Sequence, residues 1–124
     1  MVSTRKGSIY STHSSEDEDL MNNLGQVCQW ARDQNGSRTV QNILEGDNEL
    51  HKDAIFTMIF PESRELIKDR FGNYVFQKLF EKGLPRHQKM ILNSMKGSLI
   101  EFSEHAYGCR VVQKAIESIA KDQT

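Results

Sequence analysis

The chain has 124 residues and carries 16 Lys and Arg against 17 Asp and Glu, for a net charge of −1. That length fits one modest domain, and the near-neutral balance excludes a nucleic-acid binder that works by bulk positive charge. No apolar run is long enough to cross a bilayer and no secretory segment opens the chain; with Cys28 and Cys109 far apart, the reading is a reducing, cytoplasmic setting with no disulfide and no membrane.

Residues 1–19 are polar, with Arg5 and Lys6 against Glu16, Asp17, Glu18 and Asp19, and are expected as a disordered acidic, Ser-rich tail. Helical periodicity starts near Leu20. Leu24, Val27, Cys28 and Ala31 follow the i, i+3, i+4, i+7 spacing of a buried helix face, and Val40, Ile43 and Leu44 continue it in the next segment. Gly46 stops that helix and Asp47 is placed to cap the one that follows, which carries Leu50, Ala54, Ile55, Met58 and Ile59 until Pro61 closes it.

The second unit repeats the order. Residues 62–69 make a short helix with Pro61 at its first turn. Residues 73–82 make a longer one with Phe76, Leu79 and Phe80 inside, Gly83 ends it, and 86–96 form a third helix through Met90, Ile91 and Met95. The third unit opens with Leu99, Ile100 and Phe102, and its helix over 108–119 carries Val112, Ala115, Ile116 and Ile119. By the rhythm of the first two units, it lacks a third helix. No segment alternates with period two. The expectation is an all-α chain of about three stacked three-helix units, about 24–60, 61–97 and 98–120, each burying its apolar face on its neighbour.

One short motif recurs in phase with these units. It reads Gly36-Ser37-Arg38-Thr39-Val40-Gln41, then Gly72-Asn73-Tyr74-Val75-Phe76-Gln77, then Gly108-Cys109-Arg110-Val111-Val112-Gln113, with the glycines 36 residues apart. On a helix, Ser37 and Gln41 are i and i+4 and share a face, as do Asn73 with Gln77 and Cys109 with Gln113. Arg38, Tyr74 and Arg110 sit one residue further round. Amides offer both a donor and an acceptor to the edge of a nucleobase, and Tyr and Arg offer flat surfaces on which bases stack. An edge-reading pair beside a stacking plane, once per unit, suits single-stranded RNA. A glutamine on one helix surface is commonplace; three in phase with the apolar core call for a common cause. Lys78 and Lys114, next to two of the glutamines, read first as solvated and second as phosphate contacts. The four histidines, His13, His51, His87 and His105, are scattered, so no metal or other cofactor is expected, and no nucleophile–base pair supports an enzyme.

The stretches Asp33-Gln34-Asn35-Gly36-Ser37-Arg38, Phe71-Gly72-Asn73-Tyr74-Val75-Phe76-Gln77-Lys78 and Tyr107-Gly108-Cys109-Arg110-Val111-Val112-Gln113-Lys114 resemble the first three repeats of the Pumilio (PUF) family of RNA-binding repeats. The resemblance covers residues 20–120. It implies a right-handed α-solenoid and a partial Pumilio homology domain over 20–124, since a full domain has about eight repeats. It implies that Ser37/Gln41 and Cys109/Gln113 each read an adenine, that Asn73/Gln77 reads a uracil, and that Arg38, Tyr74 and Arg110 stack. With RNA running antiparallel to the repeats, the implied site is 5′-A-U-A-3′ within an mRNA 3′ untranslated region. The implied role is repression of translation or of mRNA stability, with deadenylase or translational-repressor proteins as partners. The other reading is a truncated solenoid that serves as a protein-interaction module without tight RNA binding.

Overall fold

The structure, a computed structural model, describes residues 15–122, and these are helices and short connections without a strand. The helices are α1 (Ser15–Asn22), α2 (Val27–Ala31), α3 (Gln34–Glu45), α4 (Glu49–Ile59), α5 (Ser63–Ile67), α6 (Gly72–Lys82), α7 (Pro85–Met95), α8 (Leu99–Ser103) and α9 (Gly108–Asp122). A tight 3₁₀ turn opens each unit, at Leu24–Gln26, Phe60–Glu62 and Lys96–Ser98, so the 36-residue period of the motif holds for the backbone as well. Each turn leads into a five-residue helix (α2, α5, α8) and then into a motif helix (α3, α6, α9). A third helix follows in the first two units (α4, α7), and none follows α9 among the described residues.

The motif helices form one layer, with α6 between α3 and α9. Their apolar stripes merge into one core: Val40 and Leu44 from α3, Val75, Phe76, Leu79 and Phe80 from α6, and Val111 and Ala115 from α9. Ile55 and Ile59 of α4, Leu66 and Ile67 of α5, and Ile91 and Met95 of α7 complete it. No unit holds a core of its own; each buries its stripe on the next, which is the mechanics of a solenoid.

Helix ends are tied across units. Lys52 of α4 is buried, and its Nζ donates to the Lys82 carbonyl at the end of α6 (2.7 Å). Gln88 of α7 donates to the carbonyls of Leu79, Phe80 and Gly83 (3.1, 3.0 and 3.3 Å). Apart from the Leu79 carbonyl, which also accepts from the Gly83 amide, these are carbonyls that a helix leaves unpaired at its C-terminus.

The tail expected over 1–19 lies outside the described residues as far as 14, but its last part is helical. α1 begins at Ser15, and it packs on α3 through buried Leu20 and half-buried Met21. Asp and Glu near a helix start are favourable to the helix dipole, so the acidic composition that suggested disorder also suits a helix. Asp47 does not cap α4. Asn48 does, with its side chain accepting from the His51 amide (3.1 Å). Pro61 sits in the 3₁₀ turn ahead of α5, which is shorter than the helix expected over 62–69. Leu50 and Ile100 lie on helices at positions turned well away from Ile55 and Phe102, and they are exposed.

Candidate RNA interface

Each motif helix starts in the same way. The amides of Asn35 and Gly36 donate to Asp33 Oδ2 (3.1 and 2.7 Å), and those of Phe71 and Gly72 donate to Asp69 Oδ2 (both 2.8 Å). In the third unit the amides of Tyr107 and Gly108 donate to His105 Nδ1 (3.0 and 3.1 Å). These acceptors satisfy orphan N–H groups and aim the helix. The glycine is required by close approach. A Cβ on Gly36, Gly72 or Gly108 would lie 2.5, 2.6 or 2.8 Å from the carbonyl oxygen of Trp30, Leu66 or Phe102, in the short helix before it. The invariant glycine thus sets how closely the short helix and the motif helix cross.

The residue after each glycine enters the first turns of its helix. Ser37 is buried, and Gln41 Nε2 reaches its Oγ at 3.4 Å. Asn73 is fully buried, its Nδ2 donating to the carbonyls of Asp69 and Arg70 (2.9 and 2.8 Å) and its Oδ1 accepting from Gln77 Nε2 (2.9 Å). Two carbonyl acceptors fix which end of the Asn73 amide is nitrogen, and that in turn fixes Gln77, whose Nε2 turns inward and whose Oε1 is left as an acceptor. Cys109 is exposed and turns its Sγ to the Ala106 carbonyl (3.4 Å), and Gln113 is exposed.

Of the three stacking positions, Arg38, Tyr74 and Arg110 are all exposed. Arg110 Nη1 donates to the Tyr74 hydroxyl (3.1 Å), so the stacking positions of the second and third units stand side by side. The arrangement is a row of flat side chains, with a buried or half-buried polar pair beside each of the first two. That row suits bases laid one per unit, stacked and read on their edges.

Lys78 and Lys114 are ion-paired from one unit to the next. Lys78 Nζ binds Glu45 Oε1 of the preceding motif helix (2.5 Å) and Lys114 Nζ binds Glu81 Oε2 (2.8 Å), which makes a ladder across α3, α6 and α9. The Lys78 hydrogen bond holds Glu45 below the usual carboxylate range, and the Lys114 hydrogen bond does the same to Glu81. The same bonds raise the two lysines above the usual ammonium value. The capping residues and this ladder are the parts that motif reading missed. The 36-residue spacing of Asp33, Asp69 and His105 was the available signal for the caps. For the ladder it was the recurrence of Glu45 and Glu81 with Lys78 and Lys114. Elsewhere, burial pushes the thiol of half-buried Cys28 up to about 11, away from the range of a reactive thiolate. Among the described residues no group of His, Cys, Asp and Glu is arranged to hold a metal ion.

A profile of the Pumilio-family RNA binding repeat matches residues 26–60, 64–95 and 98–124. The chain belongs to the Pumilio (PUF) family. It is 36% identical to Pumilio homolog 1 of Xenopus laevis over 99 residues, which is 80% of this chain and 8% of that protein. It is 41% identical to putative pumilio homolog 8, chloroplastic, of Arabidopsis thaliana over 98 residues, 77% of this chain and 19% of that one. Among solved structures, the Puf3 RNA binding domain bound to a Cox17 RNA 3′ UTR recognition sequence superposes with a TM-score of 0.76 at 35% identity, over 90% of this chain and 30% of that domain. PUF-8 in complex with PBE-RNA superposes with a TM-score of 0.76 at 25% identity, over 82% of this chain and 30% of that one. This Pumilio-family chain therefore spans less than a third of the length of the relatives and structures it matches. PUF repeats are RNA-binding modules, and the α-solenoid of stacked repeats is the fold this chain shares with them.

Proposed function

We propose that this chain is a sequence-specific single-stranded RNA-binding module that acts in post-transcriptional repression of translation or mRNA stability, without enzymatic activity. The supporting observation is the row of Arg38, Tyr74 and Arg110 beside the pairs Ser37/Gln41, Asn73/Gln77 and Cys109/Gln113, on three motif helices packed side by side. In this reading the Asn73/Gln77 pair selects uracil at the middle position, Asn73 orienting Gln77 so that its Oε1 faces the base. Ser37/Gln41 and Cys109/Gln113 select adenine at the outer two, and the RNA runs 5′-A-U-A-3′ antiparallel to the units. The setting is the cytoplasm, the targets are mRNA 3′ untranslated regions, and deadenylase or translational-repressor proteins are the protein partners.

Stacking contributes about 1–3 kcal/mol per base. Three bases leave little after the entropy of association, so affinity of the isolated chain is expected at about micromolar or weaker. The test is fluorescence anisotropy with short RNAs that carry A-U-A or single-base variants. The double change Asn73→Ser with Tyr74→Arg is expected to move the middle preference from U to A. Unchanged preference would remove the assignment of the reading pairs. A second reading, a protein-interaction solenoid, draws on the apolar surface left open at Ile116 and Ile119 of α9. Absence of RNA binding in the same titrations would favour it.

A further inference from the structure

The three polar pairs share one register and differ in how firmly the glutamine is held. Asn73 is fully buried, and its Nδ2 commits both hydrogens to the carbonyls of Asp69 and Arg70 (2.9 and 2.8 Å). Only its Oδ1 is left to meet Gln77, at 2.9 Å, so the outward end of the Gln77 amide is fixed. Ser37 is buried as well, but a hydroxyl both donates and accepts, and its bond to Gln41 is longer, at 3.4 Å. Either end of the Gln41 amide can turn toward it. Cys109 gives Gln113 no such partner, because its Sγ turns to the Ala106 carbonyl (3.4 Å).

Cover divides the pairs in the same way. α3 has α6 packed against it and α6 has α9; Ser37 and Asn73 are buried there, and Gln41 and Gln77 are half-buried. No helix follows α9 among the described residues, and Cys109 and Gln113 are both exposed. A wrong base at a covered pair leaves polar groups unpaired, and that cost rejects it. At an open pair water takes the place of the missing partner, and little is lost. A glutamine already held also loses no rotamer freedom when a base arrives.

We propose that Asn73, Ser37 and Cys109 rank the base selectivity of the RNA face. It is strict at the middle base, intermediate at the 3′ base read by Ser37/Gln41, and slight at the 5′ base read by Cys109/Gln113. Asn73 is the positioning residue of the strict subsite and acts through Gln77. In the 124-residue chain the third pair is a contact with little preference. The ranking rests on the proposed RNA reading, whereas the unequal hold on the three glutamines does not. The backbone of the third unit would accept the missing anchor. The Cys109 amide donates to the His105 carbonyl (2.9 Å) as the Asn73 amide does to that of Asp69 (3.1 Å). An asparagine at 109 thus has the carbonyls of His105 and Ala106 where Asn73 has those of Asp69 and Arg70.

Two measurements on the full chain test this. Without RNA, nitrogen relaxation of the side-chain amides is expected to show Gln77 rigid, Gln41 less so and Gln113 mobile, with Cys109→Asn slowing Gln113. With short RNAs that carry A-U-A between cytosine flanks, anisotropy is expected to show a loss of about tenfold or more when the U is changed. The loss is expected at about threefold to tenfold for the 3′ A and less than about twofold for the 5′ A. A 5′ loss as large as the middle one would overturn the ranking and leave the RNA reading standing. Equal mobility of Gln77 and Gln113 in the natural chain, or a Gln113 unchanged by Cys109→Asn, would overturn the ranking at its cause. Absent or base-independent RNA binding, with Gln77 rigid and Gln113 mobile, would overturn the RNA reading and the ranking together, and leave the unequal hold in place.

Discussion

The guanidinium of Arg110 donates to the hydroxyl of Tyr74 at 3.1 Å, although the two residues lie 36 positions apart in the chain. Each occupies the same place in its own unit. Their contact measures the spacing of the units along the proposed RNA face, and it holds the two side chains proposed to stack on bases next to each other.

Tyr74→Ala removes one of those surfaces and frees Arg110. RNA binding is expected to weaken by about 1–3 kcal/mol, the worth of one stacked base. Tyr74→Phe keeps the ring, loses only an exposed hydrogen bond, and is expected to stay within about 0.5 kcal/mol of the natural protein. Anisotropy titrations at fixed salt check both; equal losses in the two variants would show that the hydroxyl contact, and not the ring, carries the affinity.

Gly72 has a different sensitivity. A Cβ there would meet the Leu66 carbonyl oxygen at 2.6 Å, a backbone atom that cannot turn aside. Gly72→Ala is expected to cost about 1–3 kcal/mol by overpacking, against the gain in helix propensity. Gly97 has nothing within 4 Å of the same position, so Gly97→Ala is expected to be neutral or to stabilise by about 0.4–1 kcal/mol. Urea denaturation of the two variants separates them, and a stable Gly72→Ala would mean that α5 and α6 shift apart freely.

The Glu45–Lys78 and Glu81–Lys114 ladder is half exposed on its acidic side. Lys114→Met is therefore expected to change stability by less than about 1 kcal/mol, and less again in high salt. Both carboxyls are held below their ordinary value in the folded chain, Glu45 by Lys78 and Glu81 by Lys114. Their contribution is present above the ordinary carboxylate value of about 4.3 and is lost as pH falls through the depressed folded value. A difference between Lys114→Met and the natural protein that persisted at about pH 2.5 would show that the lysine stem, not its charge, is what matters.

Ile116 stands where Leu44 and Phe80 stand in the first two units. Those are 0% and 3% exposed, and Ile116 is 61% exposed. With Leu92, Leu99, Val112 and Ile119 it lines an open groove of about 570 Å³. An exposed apolar patch promotes association. Sedimentation of the 124-residue chain is expected to show mass rising with concentration, and Ile116→Gln with Ile119→Gln to suppress the rise. A strictly monomeric natural chain with α9 as protected from exchange as α6 would refute this.

The order of helices, the all-α class and the phase of the motif residues were legible in the sequence because they repeat. Gly36, Gly72 and Gly108 mark one local solution used three times, and the apolar positions follow it. Three things did not show there. Asn73 is wholly buried, with its amide spent on Asp69, Arg70 and Gln77. Lys78 and Lys114 bond to carboxylates one unit back. Ser15–Asn22 forms a helix because α3 offers Leu20 a place to bury. A motif records which side chains recur along the chain. Whether each is covered, bonded or left open depends on how far one unit stands from the next, and that distance is set only when the short helix closes on the motif glycine.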